Sequence, residues 1–175
     1  MHLIPLPQKI SKRTGTFSID HETDIILNIR QDDVDFQTAI FLRNEIEKII
    51  AVALPIKKDR QSEKSLKHHS ISFEYPGNEL CEEAYRLVVA EKGITIWASS
   101  NRGFLYGAVT LIQLCKLYKG EIACMEIEDE PSFPNRGYLL DVSRGRIPTM
   151  DTLRNLVDKL AFYKINQLQL YVEDS

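Results

Sequence analysis

The sequence lacks any excess of positive charge. Its 22 Lys and Arg are outnumbered by 25 Asp and Glu, for a net charge of -3 and a pI of about 5.8. Nothing in it forms the broad basic surface that nucleic-acid binding requires. Long apolar runs are missing too. The longest aliphatic stretch, Ile49 to Leu54, falls far short of the roughly 20 residues that cross a bilayer. The N-terminus, Met1 to Lys9, has no positive segment ahead of a long apolar core. No secretory signal is therefore read, and a cytoplasmic, membrane-free protein is expected. Cysteine is scarce: Cys81, Cys115 and Cys124 are odd in number, without C-x-x-C spacing, and Cys115 sits in an apolar helical run. Reduced thiols are expected rather than a disulfide frame or a zinc site. His68 and His69 lie in a polar stretch and read as solvated loop residues, not metal ligands. No metal or cofactor is expected.

What is present is ordinary for a soluble globular chain: 43% hydrophobic and 27% charged residues. The length of 175 residues accommodates one domain and part of a second. Residues 1–10 hold two prolines among aliphatics and read as an extended edge segment. Thr16 to Ile19 and Thr23 to Ile29 are rich in aliphatic and β-branched residues and are expected to pair as a hairpin. A helix capped by Asp32 or Asp33 follows, with Phe36, Ala39, Leu42, Ile46 and Ile49 along one stripe. Arg43 and Glu47 lie at i, i+4 spacing on its wet side. Lys57 to His69 reads as a solvated loop.

Three strands are then predicted, at Ile71–Tyr75, Tyr85–Ala90 and Ile94–Ala98, with Gly93 suited to a positive φ in the turn before the last. Ser99 or Ser100 caps a second helix, from about Asn101 to Leu117. That helix is apolar nearly all round, so it should be buried on more than one side. Gly107 within it reads as a close-packing position. A short strand at Cys124–Ile127 leads to Asp129 through Asn135, where two prolines and a charge cluster mark a domain boundary. The first domain, residues 1–130, is expected to be α+β, a sheet with two helices on one side.

The pattern changes beyond the boundary. Tyr138–Ser143 and Leu168–Val172 are near-continuous apolar runs, as strands covered on both faces of a parallel sheet would be. A helix with Leu153, Leu156, Val157, Leu160 and Ala161 on its apolar face lies between them. Residues 131–175 thus read as one β-α-β unit, little more than the first eighth of a (β/α)8 barrel of about 250 residues. Barrel chemistry sits at the carboxyl ends of strands. Here those ends carry Arg144 and the pair Glu173-Asp174. Strand alternation places Tyr138, Leu140, Val142 and Arg144 on one side. The planar fork of Arg144 suits two adjacent hydroxyls or a carboxylate; the alternative is that it only pairs with a neighbouring acid.

The run Leu139-Leu140-Asp141-Val142-Ser143-Arg144, preceded by Pro131-Ser132-Phe133-Pro134-Asn135-Arg136-Gly137, resembles the start of the catalytic barrel of the family 20 glycoside hydrolases, the β-N-acetylhexosaminidases. Glu83 to Val89, Gly93 to Ile96 and Gly103 to Leu114 are similar to the α+β domain that precedes that barrel. The resemblance implies retaining removal of terminal N-acetylglucosamine or N-acetylgalactosamine, with the substrate's acetamido oxygen as nucleophile. It implies an Asp-Glu pair near the fourth barrel strand, the Asp orienting the acetamido group and the Glu acting as general acid. It also implies that Arg144 grips hydroxyls of the terminal sugar and that Asp174 lines the site. Family members often carry two histidines where this chain has Gln169 and Tyr171, which points to a divergent subgroup.

The sole Asp-Glu dipeptide, Asp129-Glu130, precedes any barrel strand and is read as a decoy. The chain is thus expected to be the front of a larger glycosidase, inactive by itself, and either to self-associate through uncovered strands or to have its last forty or so residues displaced from barrel-like geometry. Two rival readings are a free-standing interaction module and the front domain of another hydrolase family, such as the α-glucuronidases. The Asp-Val-Ser-Arg run argues against the latter.

Overall fold

The structure, a computed structural model, describes residues 2–28, 33–59, 69–76, 80–145 and 147–173. The chain divides into two units, Met1–Glu130 and Pro131–Ser175. The first holds strands β1 (Lys9–Ser18), β2 (Asp24–Asn28), β3 (Ile56–Asp59), β4 (Ser70–Glu74), β5 (Tyr85–Ala90), β6 (Gly93–Ala98) and β7 (Glu121–Asp129), with helices α1 (Asp33–Ile50) and α2 (Asn101–Tyr118). They form one mixed sheet in the order β1-β7-β5-β6-β4-β2-β3. The β1, β7, β5 and β6 pairings are antiparallel, whereas β6, β4, β2 and β3 run parallel.

Both helices pack on one face of the sheet and against each other. Leu87, Val89, Ile94 and Ile96 of that sheet are completely buried. The opposite face presents polar side chains, including Arg86, which pairs with Glu126 and lies 5.2 Å from the Trp97 ring. Helix α2 is buried from Gly103 to Cys115 except at Leu105. Its first turn is held by Ser100 Oγ, which accepts the N–H groups of Arg102 (3.1 Å) and Gly103 (3.2 Å). A Cβ at Gly107 would lie 2.5 Å from Ile96 Cγ2, so glycine here lets the helix approach the sheet. Lys119 in the left-handed region, φ 54°, then ends the helix.

The expected hairpin between the first two strands does not form. β1 pairs with β7 at one side of the sheet, and β2 pairs with β3 and β4 at the other. The turn between them is tied by Asp20, whose carboxylate accepts Glu22 N–H at 2.8 Å. β1 also begins earlier than its apolar residues indicate, because only Phe17 in this edge strand is buried. The charged Ile56–Asp59 segment is likewise an edge strand, not a loop. Lysine suits an edge, and Lys57 reaches Asp24 at 2.6 Å. Gly93 does not adopt a positive φ; it opens β6 opposite Ala90.

His69 lies in a turn as expected, but it is only partly solvated, its side chain 34% exposed. Its Nε2 sits 2.7 Å from Asp20 Oδ1 and its ring packs on Phe17. Within α1, Ala39, Leu42 and Ile46 are buried as the stripe predicts. Arg43 donates to Asn44 Oδ1, while Lys48 pairs with Glu45. Asp32 and His68 lie outside the described residues. Cys115 and Cys124 are buried and Cys81 is exposed. No described helix is long and apolar enough to cross a membrane.

The second unit contains β8 (Gly137–Asp141), α3 (Met150–Phe162) and β9 (Gln167–Tyr171). The two strands pair in parallel, Gly137 with Gln167 through Asp141 with Tyr171. Thr149 caps α3 by accepting Thr152 N–H at 3.2 Å. The apolar runs that read as strands covered on both faces are largely exposed: Leu139 is 59% and Leu170 45% accessible. α3 likewise has no buried residue.

Candidate functional site

The two ends of the β8–β9 ladder differ. At the amino end Arg136 is spent on main-chain oxygens. Its Nε donates to Lys164 O (2.8 Å) and its Nη1 to Phe133 O (2.6 Å). Asn166 closes the same corner, accepting Arg136 N–H at 2.9 Å and donating to Pro134 O at 2.7 Å. An open depression of about 670 Å³ lies beside it, lined by residues 137–139 and 166–169, with no carboxylate or cation on its walls. It is a feature of the strand starts and lacks groups for bond-breaking chemistry.

The carboxyl end is where charge collects. β8 stops at Asp141, and the chain bends through Ser143, Arg144 and Gly145. Asp141 Oδ1 accepts Ser143 N–H (2.9 Å), Ser143 Oγ–H (2.9 Å) and Arg144 N–H (3.1 Å). This is the turn that a short carboxylate makes with its own downstream backbone. Asp141 Oδ2 accepts Arg144 Nε–H at 2.8 Å. Ser143 N–H and the Arg144 guanidinium hold the Asp141 carboxyl well below the usual carboxylate range. Glu173 contacts the same nitrogen, Oε2 lying 3.0 Å from Arg144 Nε. Glu173 N–H donates to Ser143 Oγ at 2.9 Å, tying the end of β9 to the bend after β8. The Tyr171 ring lies under the guanidinium, 5.3 Å from Cζ.

Arg144 is therefore placed by a turn and not by strand alternation, since it lies three residues past the strand end. The pairing with a nearby acid, one of the two alternatives for this residue, is present twice. Both carboxylates engage Nε, however, and among the described residues no hydrogen bond reaches the terminal Nη1 and Nη2. The Arg144 side chain remains 62% exposed. Asp174 lies outside the described residues. Asp141, Ser143 and Tyr171 were not singled out as site residues by sequence pattern. An Asp followed two and three residues on by N–H groups it can accept was the available signal for Asp141.

Asp129 and Glu130 take structural parts. Asp129 accepts the Tyr85 hydroxyl at 3.0 Å and Gln8 N–H at 3.2 Å, and Glu130 O accepts Gln8 Nε2 at 2.7 Å. Among the described residues no three of His, Cys, Asp and Glu converge as metal ligands would.

The sequence of the first unit matches the family model of glycosyl hydrolase family 20, domain 2, over residues 1–130. The chain belongs to glycosyl hydrolase family 20. That family's catalytic-domain model matches residues 133–175. The match to two family 20 models in this order removes the rival assignment to another hydrolase family. A β-hexosaminidase of Akkermansia muciniphila is 38% identical over 53% of the chain and 19% of its own length. A β-hexosaminidase of Porphyromonas gingivalis is 26% identical over 99% of the chain and 23% of its own length. The chain thus spans about a fifth of these curated relatives. Streptomyces plicatus N-acetyl-β-hexosaminidase, solved in complex with Thio-NAglucal, superposes with a TM-score of 0.82 at 25% identity, covering 98% of this chain and 34% of its own. A family 20 exo-β-N-acetylglucosaminidase of Vibrio harveyi, solved with N-acetylglucosamine, superposes with a TM-score of 0.78 at 28% identity, covering 98% and 25%.

Proposed function

We propose that this chain is the front part of an exo-β-N-acetylhexosaminidase acting on terminal N-acetylglucosamine or N-acetylgalactosamine. In this reading residues 1–130 are the α+β domain preceding the catalytic barrel, and residues 131–175 supply the barrel's first β-α-β unit. Arg144 binds hydroxyls of the terminal sugar, and Asp174 lines the same pocket. The acetamido group of the substrate attacks its own anomeric carbon, and an Asp-Glu pair on a later strand orients that group and protonates the leaving oxygen. The chain by itself, without such a pair beyond β9, does not turn over substrate.

The observation that carries this reading is the set of contacts around Arg144. Its guanidinium is anchored through Nε at the carboxyl end of a parallel strand, where barrel enzymes bind substrate. Two carboxylates against one guanidinium leave the cluster formally at -1, which disfavours an anion. Neutral hydroxyls are thus the better match to the terminal nitrogens, and a sugar presents adjacent hydroxyls at the required spacing. The binding of N-acetylglucosamine by the Vibrio harveyi neighbour supports the same class of ligand.

The test uses a chromogenic N-acetylglucosaminide. The full reading frame is expected to hydrolyse it, and the 175-residue chain is expected to match a blank. Turnover by the chain alone overturns the inactive-front reading. A full-length enzyme that ignores the N-acetyl sugar but cleaves a glucoside overturns the substrate class.

A further inference from the structure

We propose that Asp141 is the positioning residue of Arg144, fixing its guanidinium so that the terminal nitrogens face a neutral sugar; the proposal rests on the reading of Arg144 given above. Four donors converge on this one carboxylate: Ser143 N–H, Ser143 Oγ–H and Arg144 N–H on Oδ1, and Arg144 Nε–H on Oδ2. Asp141 therefore holds both ends of the same residue, the backbone of Arg144 and the root of its guanidinium. A long flexible side chain clamped at both ends has few rotamers left to lose when a ligand arrives.

The orientation follows from which nitrogen is taken. With Nε committed, side-on pairing through Nε and one Nη is closed, and the end-on pair Nη1 and Nη2 is what remains for a ligand. Tyr171 limits the guanidinium from one face. Glu173 differs from Asp141 in kind. It touches Nε at 3.0 Å, but its backbone is on β9's side of the ladder and it makes no bond to the Arg144 main chain among the described residues. Its removal leaves the turn and the 2.8 Å Nε contact in place. The carboxyl of Asp141 is held low enough to stay ionised across the working range of a glycosidase. The positioning contact should thus add no step of its own to a pH profile.

Asp141→Asn separates the two functions of this carboxylate. The amide oxygen still accepts the turn's N–H groups, but its NH2 places a donor against Nε–H. In the full-length enzyme, Asp141→Asn is expected to lower kcat/KM about tenfold through KM, the scale of one charged hydrogen bond. Arg144→Ala should lower it further. The double variant should equal Arg144→Ala, because Asp141 acts only through Arg144. Unchanged kinetics for Asp141→Asn beside an impaired Arg144→Ala, or additive losses in the double variant, overturn the proposal.

If Arg144→Ala changes nothing, the sugar-binding reading falls instead. Positioning is then decided in the 175-residue chain by solvent exchange of the Arg144 Nε–H, followed by nuclear magnetic resonance. Exchange should be slow in the native chain and several-fold faster in Asp141→Asn, with a smaller change in Glu173→Gln. Equal exchange in native and Asp141→Asn chains overturns it. Asp141→Ser, which keeps a turn acceptor but cannot reach Nε, is the second variant should Asp141→Asn fail to fold.

Discussion

The two units of this chain treat the same kind of residue in opposite ways. In the first, Ile94, Ile96 and Leu87 are completely buried between sheet and helices. In the second, Leu139 and Leu170 occupy strands of similar apolar character yet stay 59% and 45% accessible. The difference teaches that a strand's sequence specifies the environment it is built for, while its burial depends on what else is present to cover it. The first unit contains its own cover in α1 and α2. Among the described residues the second has only α3, which buries none of its residues.

That contrast predicts unequal costs for equal substitutions. Ile96→Ala should cost about 2–5 kcal/mol, as cavity-forming changes in a packed core do. Leu170→Ala should change stability by less than about 0.5 kcal/mol, because its methyl groups already meet solvent. Urea midpoints of the two variants check this, and similar midpoints would erase the contrast. The exposed strands carry a companion expectation. The chain should self-associate in light scattering, and a strictly monomeric profile at high concentration would contradict it. A smaller effect is expected where helix and sheet approach most closely. Gly107→Ala places a methyl 2.5 Å from Ile96 Cγ2, and relieving that overlap should cost about 1–3 kcal/mol.

Another small effect belongs to the polar face of the sheet. Burial alone would raise the Glu126 carboxyl, but Arg86 and Arg13 outweigh it and hold it below its ordinary value. A carboxyl depressed in the folded state stabilises above its unfolded value of about 4.3 and loses that contribution as pH falls through the folded value. The exposed arginines limit the size to about 1 kcal/mol or less. Comparing native and Glu126→Gln stability between pH 6 and pH 3 should show a difference that shrinks with acid. A constant gap would assign the effect to packing.

Sequence pattern located the central strands and both large helices because their apolar periodicity is strong. β5 and β6 were read within a residue, and the Ser100 cap was one of two candidates. It failed at the edges. β1 has one buried residue and β3 is rich in lysine, so neither carries the alternation that marks a half-buried strand. The hairpin fails for a related reason: adjacency in sequence is not adjacency in space here, and β1 and β2 lie on opposite sides of the sheet centre. Of the site, Arg144 was visible as a charge after an apolar run. The means of holding it was not, because alternation was extended past Asp141, where the strand has already ended.

The three cysteines of the first unit occupy environments that would make them report on its opening. Burial pushes the Cys115 thiol up to about 12 and also raises Cys124, the latter with help from Glu91. Cys81 lies open at the surface. An alkylating reagent therefore meets one surface thiol in the native fold and reaches Cys115 only when α2 lifts from its packing. The fraction of chains labelled at Cys115, read by mass, becomes a clock for that opening, supplied by the protein without any engineered probe.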